Sequence, residues 1–179
     1  MSKHEANGIC ICGLNGSGKT TLGRLLAERL EYQRMDVEDY YFPDGEAIPY
    51  STARSREEVC KRLRTDMEKH PQFVFSAVNG DMGEDVTSHY RLVVYLYVPL
   101  KIRAGRIRKR AFERFGARVE PGGDMYEQEQ EFFAFAVHRT PEKIERWLET
   151  LSCDILRLDG TARPEVNVEK ICAFLQMNK

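Results

Sequence analysis

The chain has 179 residues, 42% of them hydrophobic and 31% charged, with 27 basic against 28 acidic side chains and a net charge of −1. That length suits one domain with a substantial core. The balanced charge argues against a dedicated nucleic-acid binder, which needs a basic surplus to neutralise phosphates.

The polar start "MSKHEANG" has no apolar signal-like stretch, and no apolar run approaches the roughly 20 residues that span a bilayer. Cys10, Cys12, Cys60, Cys153 and Cys172 are odd in number and contain no C-x-x-C pair. Reduced core thiols in a cytoplasmic protein, without membrane attachment, are therefore expected.

In chain order, the apolar run Ile9–Cys12 reads as a strand buried on both faces and leads directly into "GLNGSGKTTL". Lys19–Leu30 repeats leucine at helical spacing through Leu22, Leu25, Leu26 and Leu30. A weaker strand is expected near Tyr32–Val37, followed by the acidic "MDVEDYYF". Ser55 and Glu58 form a capping-box pattern that starts a helix running to about Lys69, where Pro71 stops it.

Further apolar strands are expected at Phe73–Val78, Leu92–Val98 and Ile155–Leu158. After Val98-Pro99 comes an arginine-rich helix in which Arg103, Arg106, Arg110 and Arg114 share one face, beside an apolar stripe of Ala104, Ile107, Ala111 and Phe115. Such a face is either solvated or functional. Gly116–Asp124, "GARVEPGGD", breaks that helix and reads as a mobile flap or an ordinary surface loop. Thr140 and Pro141 open another helix, with Pro141 at its first position, and a last helix runs from about Pro164 to Met177. Strands alternating with helices predict an α/β domain with a parallel sheet and right-handed crossovers.

The phosphate-binding pattern G-x-x-x-x-G-K-[ST] is met by Gly13, Gly18, Lys19 and Thr20. Glycines let successive N–H groups turn inward as an anion nest, and the helix that follows adds its positive end. The expected nucleotide contacts are Gly13, Leu14, Asn15, Gly16, Ser17, Gly18, Lys19, Thr20 and Thr21. Lys19 reaches the β- and γ-phosphates and Thr20 ligates Mg²⁺. Neither a guanine-reading N-K-x-D string nor the L-S-G-G-Q string of transporter ATPases occurs.

The strand, Val-Pro turn and arginine helix resemble the approach to the lid in nucleoside-monophosphate kinases and shikimate-kinase-like enzymes. The resemblance implies that Arg106, seven residues after Pro99, lies over adenine, and that Arg110, four further on, contacts phosphates. "CDILRLDGTARPEVNVEKI" resembles the final strand, D-G-T turn and C-terminal helix of these enzymes, so Gly160, Thr161 and Ala162 are expected to border the adenine. The implied architecture is a single three-layer P-loop NTPase domain over residues 1–179, with a five-stranded parallel sheet and a short lid. Residues 36–70 would bind the acceptor and residues 112–139 would form the lid region.

For the carboxylates two registers are open. Asp36 with Glu38 resembles the D-x-D of shikimate-type kinases, and Glu38-Asp39-Tyr40-Tyr41 resembles the D-D-F-Y of uridine-kinase-like enzymes. Asp36 is preferred, as metal ligand and as the group that orients or deprotonates the acceptor. Adenylate-kinase-like enzymes carry D-G after the third strand, where this chain has Asn79-Gly80; Asp81 is the substitute candidate for the metal. Glu38, Asp39, Tyr50, Arg54, Arg56 and Arg139 are candidate acceptor contacts. The expected activity is transfer of the γ-phosphoryl group of ATP, with Mg²⁺, to a nucleotide, nucleoside or small metabolite. A regulatory nucleotide-binding ATPase and a polynucleotide 5′-kinase are the alternatives.

Overall fold

In the computed structural model, which describes residues 6–42 and 52–178, five strands form one fully parallel sheet. They are β1 (Gly8–Cys12), β2 (Gln33–Asp36), β3 (Phe73–Ala77), β4 (Tyr90–Tyr97) and β5 (Asp154–Asp159), in the spatial order β2-β3-β1-β4-β5. The sheet class and all five strand positions match the sequence expectation. The connecting helices are α1 (Lys19–Leu30), α2 (Val37–Tyr41), α3 (Arg56–Lys69), α4 (Glu84–Thr87), α5 (Leu100–Phe115), α6 (Tyr126–His138), α7 (Glu142–Leu148) and α8 (Pro164–Met177).

Strand parity divides the core into two layers. Along β1, Cys10 and Cys12 face a cluster with Leu63 of α3, Phe75 of β3 and Trp147 of α7. Ile9 and Ile11 face the opposite cluster, with Leu22 and Leu26 of α1 and Ile171 of α8. All of β1 is buried, which explains why its sequence runs apolar without alternation. The two thiols behave as small hydrophobes: burial pushes the Cys12 thiol up to about 12 and raises Cys10 as well.

After β1 the chain crosses to β2 at one edge, returns through β3, and then passes to β4 on the other side. The strand order therefore reverses around β1, and the crevice at its carboxyl end is where open α/β sheets bind ligands.

Local signals set most helix boundaries. The Ser55 hydroxyl caps α3 by accepting from the Glu58 amide at 3.2 Å. The reciprocal half of the capping box does not form, because the Glu58 carboxylate turns to Arg62 at 2.9 Å and Arg54 at 3.6 Å. Helix α7 starts at Glu142, one residue later than expected, and Pro141 occupies the cap position.

Three α-helices were not anticipated. Helices α2 and α4 are only five and four residues long, and α6 carries "FFAFAV", a run without helical periodicity. Gly116–Asp124 is a closed turn, not an open loop: a short 3-10 helix spans Gly116–Val119 and the Met125 amide donates to Arg118 O at 2.9 Å. The Arg118 guanidinium meets both oxygens of Asp124, at 2.9 and 2.7 Å. Met125 is fully buried beneath this turn.

Removing the α3 cap by Ser55→Ala is expected to cost about 1 kcal/mol. Thermal denaturation should register a Tm lower by roughly 2–4 °C for a chain of this size. An unchanged Tm would show that the Glu58 amide is equally well served by water.

Candidate active site

The loop that follows β1 emerges between β3 and β4 and is fixed from both ends. The Gly13 amide donates to Val78 O at 3.1 Å, and the Ser17 amide donates to Leu14 O at 3.1 Å. Gly16 has φ +81°, and a Cβ there would lie 2.6 Å from the carbonyl oxygen of Arg103. Only glycine fits, because the backbone of α5 already occupies that space. Gly18, at φ +96°, caps α1 without a side chain, which leaves the first amides of the helix open toward the hollow.

Two further observations suit this hollow to an anion. The Ser17 hydroxyl is buried without a protein partner. Lys19 folds across the loop, with Nζ donating to Leu14 O at 3.2 Å. Burial lowers its ammonium to about 8, against the opposing pull of Asp36 and Glu38 and with Arg110 adding to the fall. The Leu14 side chain belongs to the core, so this residue presents only its backbone to the hollow.

Thr20 and Asp36 meet at the foot of the loop. The Thr20 hydroxyl donates to Asp36 Oδ2 at 2.8 Å, while Asp36 Oδ1 accepts from the Glu38 amide at 3.1 Å and caps α2. Asp36 is buried, so β2 and α2 together fix its orientation. A hydroxyl and a carboxylate side by side are hard oxygen donors that fit Mg²⁺, which is commonly held by one or two carboxylates plus substrate phosphates. Among the described residues no group of three or more His, Cys, Asp or Glu could hold a metal by itself. Asp81 is exposed; its amide turns back to Asn79 Oδ1 at 3.0 Å and its carbonyl accepts from Arg56 at 2.9 Å, so it does not join the Thr20–Asp36 pair.

The arginine helix divides its labour. Arg106 donates to Ser17 O at 3.3 Å and to Gly160 O at 3.0 Å, joining the loop after β1 to the turn after β5. Between them lies a cleft of about 180 Å³ lined by Gly18, Thr21, Arg106, Gly160, Ala162 and Asn167. Thr161 is exposed, and its amide donates to Asp159 Oδ1 at 2.8 Å. Arg110 is exposed and lines a separate cavity of about 210 Å³ together with Glu38, Phe42, Arg114, Glu129 and Phe132.

Two residues escaped the sequence reading. Arg103 is buried and donates to Asn15 O at 3.1 Å, so it supports the loop from below, although its spacing made it equivalent to its exposed neighbours. Asn167 of α8, also buried, donates to Asp159 O at 2.9 Å beside the cleft near Gly160. Only its polarity within an apolar helix face hinted at this.

The acceptor candidates separate. Arg139 donates to Asn15 Oδ1 at 3.2 Å, with its guanidinium 4.6 Å from the centre of the Phe135 ring, and burial lowers its pKa. Arg54 instead serves the end of α2, donating to Tyr40 O at 2.9 Å. Arg56 reaches Asp81 O, as above, and Asp39 pairs on the surface with Arg34 at 3.2 Å. Tyr50 lies outside the described residues.

The chain resembles known proteins over most of its length. Residues 9–132 match the family described as AAA domain. The uncharacterized protein YqaC of Bacillus subtilis (strain 168) is 30% identical over 178 residues, covering 95% of this chain and 98% of that protein. A shikimate kinase of Thermosynechococcus vestitus (strain NIES-2133 / IAM M-273 / BP-1) is 27% identical over 164 residues, covering 81% and 90% respectively. Among solved structures, a sugar kinase from Janibacter sp. HTCC2649 superposes with a TM-score of 0.60 at 16% identity, over 96% of this chain and 95% of that one.

The lowered Lys19 pKa sets a pH dependence. An anion in the hollow raises that pKa again, so binding leaves Lys19 protonation unchanged well below pH 8 and takes up a proton above it. Calorimetry with inorganic tripolyphosphate should show affinity level below about pH 8 and falling above it, by up to about tenfold per unit. Affinity independent of pH up to 9.5 would remove Lys19 from the anion site.

Proposed function

The chain belongs to the AAA domain family and to the P-loop small-molecule kinase superfamily, and from that premise we propose that it moves the γ-phosphoryl group of ATP to a small-molecule acceptor. The observation that carries the reading is the Thr20–Asp36 hydrogen bond of 2.8 Å at the start of α1. It sets a hydroxyl and a carboxylate against a glycine loop, the donor set that a magnesium–triphosphate needs.

In this reading the amides from Gly13 to Thr20 and the Lys19 ammonium hold the β- and γ-phosphates. Arg106 and the turn at Gly160–Ala162 border the adenine, with Arg106 drawn onto its flat face. Thr20 and Asp36 would hold Mg²⁺, which when bound neutralises charge on the transferring group. Of the two roles expected of Asp36, metal binding suits its geometry better, since both its oxygens are already directed by Thr20 and Glu38. Arg110 lends charge to the transferring phosphoryl group, and residues 112–139 serve as the lid that excludes water. Transfer then depends on positioning and charge stabilisation more than on covalent help.

A second reading, a nucleotide-binding regulatory module without a small acceptor, draws on one observation. Asn79 stands where adenylate-kinase-like enzymes carry an acid, and Asp81 is turned to Arg56 and Asn79. Turnover against a panel of hydroxylated acceptors separates the two. ATP bound tightly with no transfer to any acceptor favours the module.

Lys19→Ala is expected to lower kcat by at least about a hundredfold with unchanged circular dichroism, because it removes one charge from the hollow and leaves both core clusters intact. Arg110→Ala should reduce kcat more than it weakens ATP binding, since its contact strengthens as charge develops. Equal losses in steady-state kinetics and in ATP affinity would assign Arg110 to ground-state binding.

A further inference from the structure

The cavity between α2, α5 and α6, about 210 Å³ in volume, has an unusual wall for a phosphoryl acceptor. Phe42, Phe115, Phe132 and Ile107 supply apolar surface. The charged side chains cancel, Arg110 and Arg114 against Glu38 and Glu129. Burial raises the pKa of the Glu129 carboxyl, and Arg110 and Arg114 both pull on the carboxylate and oppose that rise. The volume is below the roughly 300–1,000 Å³ of drug-sized pockets, so the occupant is small.

Two features connect this cavity to the phosphate loop. Arg110 and Glu38 line it, and both act electrostatically on Lys19. The Glu38 amide also donates to the carboxylate that accepts from Thr20, so Glu38 stands two residues from the proposed metal pair. By contrast, the arginines expected to grip an anionic acceptor are engaged elsewhere: Arg54 on Tyr40 O and Arg56 on Asp81 O. A carboxylated acceptor would find no surplus positive charge among the described residues of this cavity. A flat ring would find three phenylalanine side chains in the wall, and aromatic pairs gain beyond area burial.

We infer that this cavity is the acceptor site and that it takes a neutral, hydroxylated molecule carrying a planar heteroaromatic ring, a nucleoside being the chemical class, with Glu38 receiving the acceptor's proton. The inference rests on the phosphotransferase reading above. In the reaction the acceptor O–H bond breaks and its proton passes to a Glu38 carboxylate oxygen. A bond forms between that oxygen of the acceptor and the γ-phosphorus of the nucleoside triphosphate. The bond from phosphorus to the bridging oxygen breaks, and its electron pair leaves on the nucleoside diphosphate.

The test uses the full-length chain with ATP, Mg²⁺ and three acceptor classes: thymidine and deoxycytidine, shikimate, and glucose. Product is read by mass spectrometry and rate by ADP release. Nucleosides are expected to give kcat/KM at least tenfold above the other two. Phe132→Ala and the cavity-filling Ala111→Leu should each raise the nucleoside KM about tenfold while ATP affinity stays constant; two variants guard against one misfolding. Glu38→Gln should lower kcat about a hundredfold and leave the acceptor KM within a few fold, while Glu38→Asp, which keeps the carboxylate, should restore part of the rate.

Preferred transfer to shikimate or glucose overturns this assignment while leaving the phosphotransferase reading intact. Tight ATP binding without transfer to any acceptor overturns both. Nucleoside turnover with KM unmoved by both cavity variants places the acceptor elsewhere.

Discussion

The backbone of Gly16 lies against the backbone of Arg103, and no side chain fits between them. That contact is the constraint from which the site follows. It presses the loop after β1 onto the first turn of α5, so that the amides turn toward one hollow at the end of the central strand. Arg103 adds a hydrogen bond to Asn15 O from below, which holds that carbonyl away from the anion side. Burying a guanidinium for this purpose is costly unless it is hydrogen-bonded, and its Nε finds no partner among the described residues. The helix that supplies the exposed arginines is thus also the floor of the loop.

Charge around the hollow is distributed by depth. Lys19 and Asp36 sit within it; Arg106 spans its side; Arg110 and Glu38 stand at its opening toward the aromatic cavity. The low local dielectric that depresses the Lys19 pKa also strengthens every interaction made there with a phosphate. A lysine held slightly out of its preferred state is thus stabilised again when the anion arrives.

The parallel strands were legible because burial on both faces leaves uninterrupted apolar runs, as in "GICIC" and "FVFSA". The phosphate loop was legible because glycines and a lysine at fixed spacing serve one geometry. Helix α6 was not, since "FFAFAV" packs between α5 and the turn that precedes it and so loses the amphipathic stripe. The turn before it contains Pro121-Gly122-Gly123, which signals a break but not the Arg118–Asp124 clasp that closes it. Four arginines on one face looked equivalent, yet tertiary packing buried Arg103 and half-buried Arg106 while leaving Arg110 exposed. Arg54 and Arg56 had the charge suited to an anionic acceptor, but nearby main-chain carbonyls took them first.

The Arg106 guanidinium has a consequence for synthesis. It joins Ser17 O, after β1, to Gly160 O, after β5, across strands that are far apart in sequence and not neighbours in the sheet. A growing polypeptide that has passed its phosphate loop out of the ribosome still lacks the far wall of the cleft until Gly160 emerges. The two walls of this cleft can therefore meet only after β5 has been made and has joined the sheet beside β4, so folding of the loop after β1 runs ahead of closure of the cleft.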